Sequence, residues 1–288
     1  MNAPPFNGSL TSLLDRWFFS FGPAFWVLLA AMLLIGLAAY LSRQLTASGA
    51  IAAVLIGFTV TWSLGFGALV SLLFFFISAG ILSTLSKRLR RVNLEVIHAK
   101  GGQRDALQVL ANGFFAFVAA LLYYRHSSVL YVAMFGAAIA EAASDTFAGE
   151  VGVLSGSNPV SIITGRPMRP GQSGAVSPLG LASGLLGSAL IALLIWSLLL
   201  PANMEGLKVA SIIAASGFFG CLIDSVLGAT VQAHYWDEQR KVITEKAVID
   251  GRALPLDRGV RWMDNDMVNL LSNATAALVC LSLLALVL

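Results

Sequence analysis

Charge is what this chain most lacks. Only 11% of its 288 residues are Asp, Glu, Lys or Arg, less than half the share of an ordinary soluble domain, which excludes a normal water-facing surface. Cysteine and histidine are also scarce. The two cysteines, Cys221 and Cys280, lie inside apolar runs, which excludes a disulfide framework and any zinc-like Cys/His spacing and leaves both as packing residues. His98, His126 and His234 are scattered and receive no role. The chain has no Ser/His/Asp set and no Walker loop, and its basic residues lack the interleaved aromatics of a nucleic-acid groove, so nucleic acid is not expected as a partner.

What is present is apolar. Hydrophobic residues make up 57% of the chain, and runs long enough to cross a bilayer as helices, about 20 residues each, occur at 24–42, 48–64, 66–86, 107–124, 128–145, 178–200, 207–231 and 267–288. The expected fold is all-α, a polytopic transmembrane bundle of about eight spans forming a single integral membrane domain over residues 1–288. Spans two, four and five are short or polar at one end, which leaves seven open as a count. The first apolar run begins near Trp17 and exceeds a signal-peptide core, so it reads as a retained span. In an eight-span layout, fifteen of the eighteen Lys and Arg residues fall on one side, in 43–47, 87–106, 146–177 and 232–266. The positive-inside rule makes that side cytoplasmic, in a plasma (inner) membrane, with both termini outside. The loops 87–106, 146–177 and 232–266 then carry the polar motifs. Small residues recur in SGAIAAVLIG (48–57), GLASGLLGS (180–188) and SGFFGCLIDSVLG (216–228). Such stripes let helices approach closely in lipid and also leave a homo-oligomer open.

Against this background EAASDTFAGEVG (141–152) stands out, because it puts Glu141, Asp145 and Glu150 at the inner end of span five. Ionisable residues in a span are costly and mark functional sites. Helical rise places Asp145 about 25 Å, and Asp224 of span seven about 24 Å, from the outer helix starts, in the inner third of the bilayer core. Glu141 shares a face with Asp145, about 6 Å deeper. Neighbouring carboxylates at low dielectric repel unless one is protonated or a cation lies between them, and oxygen ligands alone suit Mg2+. A single buried carboxylate held by Arg or Ser is the plainer alternative, and Glu150, past the expected helix end, reads as a solvated loop residue.

Three further stretches face the same side. In GGQRDALQVLANG (101–113), Gly101 and Gly102 run into a helix whose N-terminal N–H groups form an anion site, and Arg104 adds a charged fork. Arg104, Gln108 and Asn112 follow at four-residue spacing as a polar stripe entering span four. In ITGRPMRPGQSGAVSPLG (163–180), Arg166 and Arg169 between prolines, followed by Gly171 and Gly174, give a stiff cationic loop suited to clamping phosphates or to anchoring at headgroups. In RWMDNDMVN (261–269), Asn265, Asp266 and Asn269 offer oxygen ligands, while Asp264 or Asn265 equally serves as an N-cap. VITEKAVIDGRALPL reads as a hairpin turning at Asp250-Gly251, able to lid the mouth.

These blocks resemble a family of membrane proteins that includes plastid phytyl-phosphate kinase and many homologues carrying a domain-of-unknown-function label. The likeness rests on GGQRDALQVLANG, SDTFAGEVGVLS (144–155), PGQSGAVSPLGLASGLLGS (170–188), GCLIDSVLGATVQ (220–232) and WMDNDMVN (262–269), in the family's order from about residue 45 to the end. Two departures are visible: Gly149 replaces a Ser in Phe147–Glu150, and Gly171-Gln172-Ser173-Gly174-Ala175 replaces Gly-Thr-Asn-Gly-Gly. The resemblance implies phosphoryl transfer from a nucleoside triphosphate, CTP in the related lipid kinases, onto an isoprenoid monophosphate of phytyl or polyprenyl type. On that reading Asp145 and Asp224, with Glu141, Glu150 or Asp266, hold Mg2+. Arg104, Arg166 and Arg169 neutralise phosphates, the glycines of the two loops cradle them, and Gln108, Asn112, Asn265 and Asn269 orient them. The same residues would serve a CTP-dependent nucleotidyltransferase making a CDP-lipid. A lipid-phosphate or ion-coupled transporter is a third reading, weakened by outer loops with few polar residues.

Overall fold

The computed structural model describes residues 11–90, 94, 97–98 and 102–287. Among these, a short helix α1 (Ser12–Ser20) precedes eight long ones: α2 (Ala24–Leu41), α3 (Ala47–Leu64), α4 (Phe66–Leu89), α5 (Ala106–His126), α6 (Val129–Gly152), α7 (Pro178–Leu199), α8 (Met204–Thr230) and α9 (Asn265–Val287). All eight are long and apolar enough to span a membrane, which decides between eight spans and seven. Polar residues punctuate the helices as backbone chemistry requires. The side chains of Thr46, Ser128, Ser177 and Asn203 accept first-turn N–H groups of α3, α6, α7 and α8, and Asp264 accepts from Met267 N at the start of α9. Asp105 and Gln108 form a reciprocal capping box on α5.

The bundle is organised around α6. It is 72% buried along its span, against 17% to 44% for the other seven, and it packs on α4, α5, α7, α8 and α9. Its Ala-rich surface and the glycines of its neighbours allow this. A Cβ on Gly187 of α7 would lie 2.9 Å from the Ala143 carbonyl, and one on Gly220 of α8 would lie 2.6 Å from Glu141 Cγ. The small-residue stripes therefore do what lipid-embedded packing asks of them.

At one end the connections are short, and α1 closes that end: Asp15 accepts from Phe66 N at 2.8 Å, capping α4 across 51 residues. The other end carries the long loops and, among the described residues, all the short strands. β1 (Val160–Ser161) pairs with β2 (Ala175–Val176) just before α7. Between α8 and α9, β3 (His234–Asp237), β4 (Val242–Thr244) and β7 (Leu256–Arg258) form an antiparallel sheet in the order β4-β3-β7. β5 (Val248–Ile249) and β6 (Arg252–Ala253) form the hairpin expected at Asp250-Gly251, both turn residues having positive φ, as a two-residue hairpin turn requires. Strand thus appears only in loops, and the spanning part is wholly helical.

Candidate functional site

At the loop-rich end, α5, α6, α7, α8 and the loops after α4, α6 and α8 enclose a cavity of about 360 Å³. Its floor is set by the two helices that bring Asp145 (α6) and Asp224 (α8) to one wall. Asp145 has no hydrogen-bond partner among the described residues, whereas Asp224 Oδ2 accepts from Ser272 Oγ at 3.3 Å. With the Asn269 amide nitrogen facing the carboxylate, Asn269 donates to Asp224 at 3.0 Å and to the Asn265 carbonyl at 3.3 Å.

Glu141 lies elsewhere. It is 1% exposed and does not line the cavity; Ser272 Oγ donates to its Oε1 at 2.7 Å and Asn273 Nδ2 to its Oε2 at 2.8 Å. It fastens α6 to α9 beneath the cavity floor. Glu150 differs from expectation in the other direction: α6 continues to Gly152, so Glu150 is helical and lines the cavity. The helix runs on because its last turn packs closely on the first turn of α7, where Gly152 and Gly180 leave only 3.2 Å for a Cβ on either.

Arg104 reaches the cavity from the N-terminal side of α5. Its main chain is pinned to the chain before α3, its N–H donating to the Gln44 carbonyl at 2.9 Å and its carbonyl accepting from Thr46 N at 3.0 Å. Its guanidinium has no hydrogen bond or ion pair among the described residues. Burial lowers its pKa from the free value and the charge of Glu150 works against this; an arginine stays cationic regardless. The anion site expected at the start of α5 is not open as drawn from sequence, because the Asp105 carboxylate already accepts from Gln108 N at 3.0 Å. Gly102 is exposed, with φ +96, and is not in the cavity wall; Gly101 lies outside the described residues. Gln108 lines the cavity, while Asn112 does not and donates to the Gln108 carbonyl at 3.0 Å.

The loop before α7 contributes Gly171 and Gly174 to the wall. Gly174 has φ +85, and a Cβ there would lie 2.5 Å from that of Ala229, so only glycine lets the loop lie against the end of α8. Arg258 fixes the same contact, donating to the carbonyls of Ala229 (3.0 Å) and Ser173 (3.3 Å). Arg166 and Arg169, by contrast, are exposed outside the cavity, and Arg169 donates to the Lys241 carbonyl at 3.2 Å. The connection between β1 and β2 is the cause: it folds back along β1, the Arg166 carbonyl accepting from Ser161 N at 2.9 Å and Met168 N donating to the Pro159 carbonyl at 2.9 Å, with Val160 bridging Pro167. Asn265 and Asp266 line the cavity; Asn269 reaches it only through Asp224.

Other lining residues were given no place in the site from sequence. Arg90 at the end of α4, His98, Glu245 after β4, and Asp264 all line the cavity. His98 Nε2 contacts the Gly171 carbonyl at 3.0 Å, and Glu245 accepts from Ser173 Oγ at 2.6 Å and Gln232 Nε2 at 3.0 Å. Loop residues gave no periodic signal. Ser272 and Asn273, a polar pair inside an apolar span, were detectable by the reasoning applied to Glu141.

Residues 30–277 match the family described as "Integral membrane protein DUF92". The chain belongs to the DUF92 family. It is 31% identical over 275 residues to "Protein PGR" of Arabidopsis thaliana, covering 87% of this chain and 93% of that protein. It is 34% identical over 194 residues to "Uncharacterized membrane protein MJ0933" of Methanocaldococcus jannaschii, covering 65% of this chain and 75% of the relative. No solved structure matches it. In this DUF92 protein the family match takes in every cavity-lining residue.

Six carboxylates line the cavity against two guanidiniums, so a polyphosphate alone would meet net repulsion. Among the described residues, no group of three or more His, Cys, Asp or Glu is placed to hold a metal, and a preassembled protein cage is therefore not the fitting mode. Mg2+ typically takes one or two carboxylates and completes its shell with phosphates and water. Asp145, free of donors and in the wall, and Asp224 beside it fit that mode; Glu141, already held by two donors, does not.

Proposed function

We propose that this DUF92 protein transfers a phosphoryl group from a nucleoside triphosphate, with CTP the expected donor, to an isoprenoid monophosphate, giving the diphosphate. The observation that carries the reading is the meeting, in one cavity at a membrane-spanning bundle's polar end, of a half-buried arginine, its guanidinium without a partner among the described residues, with two carboxylates on neighbouring helices. The excess of Lys and Arg in the loops at that end supports a cytoplasmic orientation, where nucleotides are available.

The acceptor is already an anion, so no strong base is required, and the work is positioning and charge neutralisation. Asp145 and Asp224 would hold Mg2+, which supplies positive charge to the donor phosphates. Arg104 pairs with a phosphate oxygen, and Gln108 adds an amide next to it. The Gly171–Ser177 loop leads into the N-terminal end of α7, whose dipole favours an anion. Asn269 and Ser272 orient Asp224, and Glu141 holds α9 in register with α6 so that those two donors stay in place.

The test is purified protein in mild detergent, Mg2+, radiolabelled CTP and phytyl or geranylgeranyl phosphate. Label in the lipid diphosphate with release of CDP is expected, and Asp145→Asn is expected to abolish it. Release of pyrophosphate would instead identify a nucleotidyltransferase, and full turnover by both Asp145→Asn and Asp224→Asn would refute the metal assignment.

A further inference from the structure

A second cavity of about 140 Å³ lies deeper in the bundle, walled by α2, α3, α4 and α5. Its lining is apolar, with Met32, Ala53, Ile56, Leu72 and Phe76 among the contributors, except at one rim. That rim is Arg104, Gln108 and Asn112, and the first two also line the polar cavity. The two cavities therefore meet at Arg104, whose guanidinium has no partner among the described residues, and at Gln108. Its glycines leave no room to spare: a Cβ on Gly113 would lie 2.8 Å from Ile56 Cδ1, and one on Gly57 would lie 3.2 Å from Met32 Sδ, so the wall is tightly packed at both. An apolar void left empty is destabilising and does not fill with water, but accepts an apolar ligand. Ile35, 39% exposed on α2, also borders it, which gives a lateral way in from lipid.

We infer that this cavity binds the first isoprene units of a prenyl phosphate whose phosphate sits at Arg104; the inference rests on the reading of the polar cavity as the phosphate site. The chemistry of the rim selects this ligand over a glycerophospholipid. In a prenyl phosphate a single oxygen separates phosphorus from hydrocarbon, which matches an arginine that borders both the polar and the apolar cavity. A glycerolipid would bring two ester carbonyls to the same place, and beyond Arg104 the rim offers only the amides of Gln108 and Asn112. Asn112 Nδ2 already donates to the Gln108 carbonyl at 3.0 Å, and Gln108, whose Oε1 accepts from Asp105 N at 3.2 Å, has its amide nitrogen assigned to the phosphate.

The test uses full-length wild-type protein in detergent and a geranylgeranyl phosphate analogue with a diazirine in its first isoprene unit, followed by mass-spectrometric mapping. Adducts on Ile56, Leu72 or Phe76 are expected, competed by unlabelled geranylgeranyl phosphate and not by phosphatidic acid. Ala53→Phe, which fills the cavity, is expected to weaken geranylgeranyl phosphate binding at least tenfold while leaving CTP binding unchanged. Adducts confined to Ile51 and Leu55, 64% and 60% exposed on the outer side of α3, or equal competition by phosphatidic acid, would overturn the tail site. The same preparation, given unlabelled lipid and CTP, separates the two readings: CDP release alongside surface adducts leaves the transfer reaction standing and removes the tail site. Cavity adducts without CDP release do the reverse.

Discussion

Glu141 and Asp145 lie one helical turn apart, and replacing each by alanine is expected to have opposite consequences. Removing the Glu141 carboxylate takes the acceptor from one N–H of Asn273, which keeps its other bond to the Ala138 carbonyl at 2.7 Å. The Ser272 hydroxyl is less affected, because the Asn269 carbonyl lies 3.0 Å away. One orphaned buried donor costs about 1–3 kcal/mol, and the space left by the carboxyl group adds about 1–2 kcal/mol for a site that relaxes only partly. Relief of carboxylate desolvation offsets some of this, so Glu141→Ala should lose about 2–4 kcal/mol and Glu141→Gln about half that. Asp145→Ala breaks no hydrogen bond among the described residues and should cost less than about 1 kcal/mol, while removing at least ~100-fold of the transfer rate. SDS titration of the purified variants, read by loss of native fluorescence, gives the stabilities, and CDP release gives the rates. Equal destabilisation by the two alanine variants, or a folded Glu141→Gln as inactive as Asp145→Ala, would refute the division of these carboxylates into a structural and a catalytic one.

Four other outcomes follow from the geometry. Arg104→Ala should lower kcat/KM by about 10- to 100-fold, the equivalent of one charge-assisted hydrogen bond of about 1.5–3 kcal/mol, with little change in melting, since the structural contacts of Arg104 are main-chain. Arg166→Ala and Arg169→Ala, exposed outside the cavity, should each change kcat/KM less than about twofold, in line with exposed charges elsewhere; the same kinetic assay decides. Gly174→Ala should cost about 2–4 kcal/mol, combining a left-handed backbone with a Cβ approach of 2.5 Å to Ala229, and should lower the melting temperature measured in detergent. His234 is 1% exposed, and burial lowers its folded pKa, with the Arg258 charge acting the same way. The folded state therefore binds fewer protons there than the unfolded one. The stabilising contribution is complete above the unfolded value near ~6.5 and declines as pH falls through the lower folded pKa. His234→Gln should flatten the loss of stability on the acid side, measured by melting across that range.

The spans were legible because a bilayer demands long apolar runs, and residues such as Thr46, Ser128, Ser177 and Asn203 mark helix starts by the bonds they make. Asp145 and Asp224 were legible for the same reason, since a carboxylate inside a span has few alternatives to a specific role. Asp250-Gly251 announced its hairpin through turn chemistry alone. The sheet β4-β3-β7 was not visible, because β7 joins β3 across a connection whose pairing depends on the tertiary fold. Nor was the placement of Arg166 and Arg169, which looked like a clamp on charge and spacing but lie in a segment that folds back onto β1 outside the cavity. Arg90, His98 and Glu245 come to the cavity from loops, where neither periodicity nor membrane cost marks a residue. Glu141 was recognised as unusual, but its role depended on Ser272 and Asn273 of a helix more than 130 positions away.

The central position of α6 has a consequence for biosynthesis. It is the least apolar of the eight spans, and a charged carboxylate near the middle of an isolated helix raises the cost of insertion by about 2.5–3.5 kcal/mol. The donors that hold Glu141, Ser272 and Asn273 of α9, are synthesised after it. A nascent chain that has released only α6 therefore carries a carboxylate whose donors do not yet exist. Glu141 gains them only when Ser272 and Asn273 of α9 have left the ribosome.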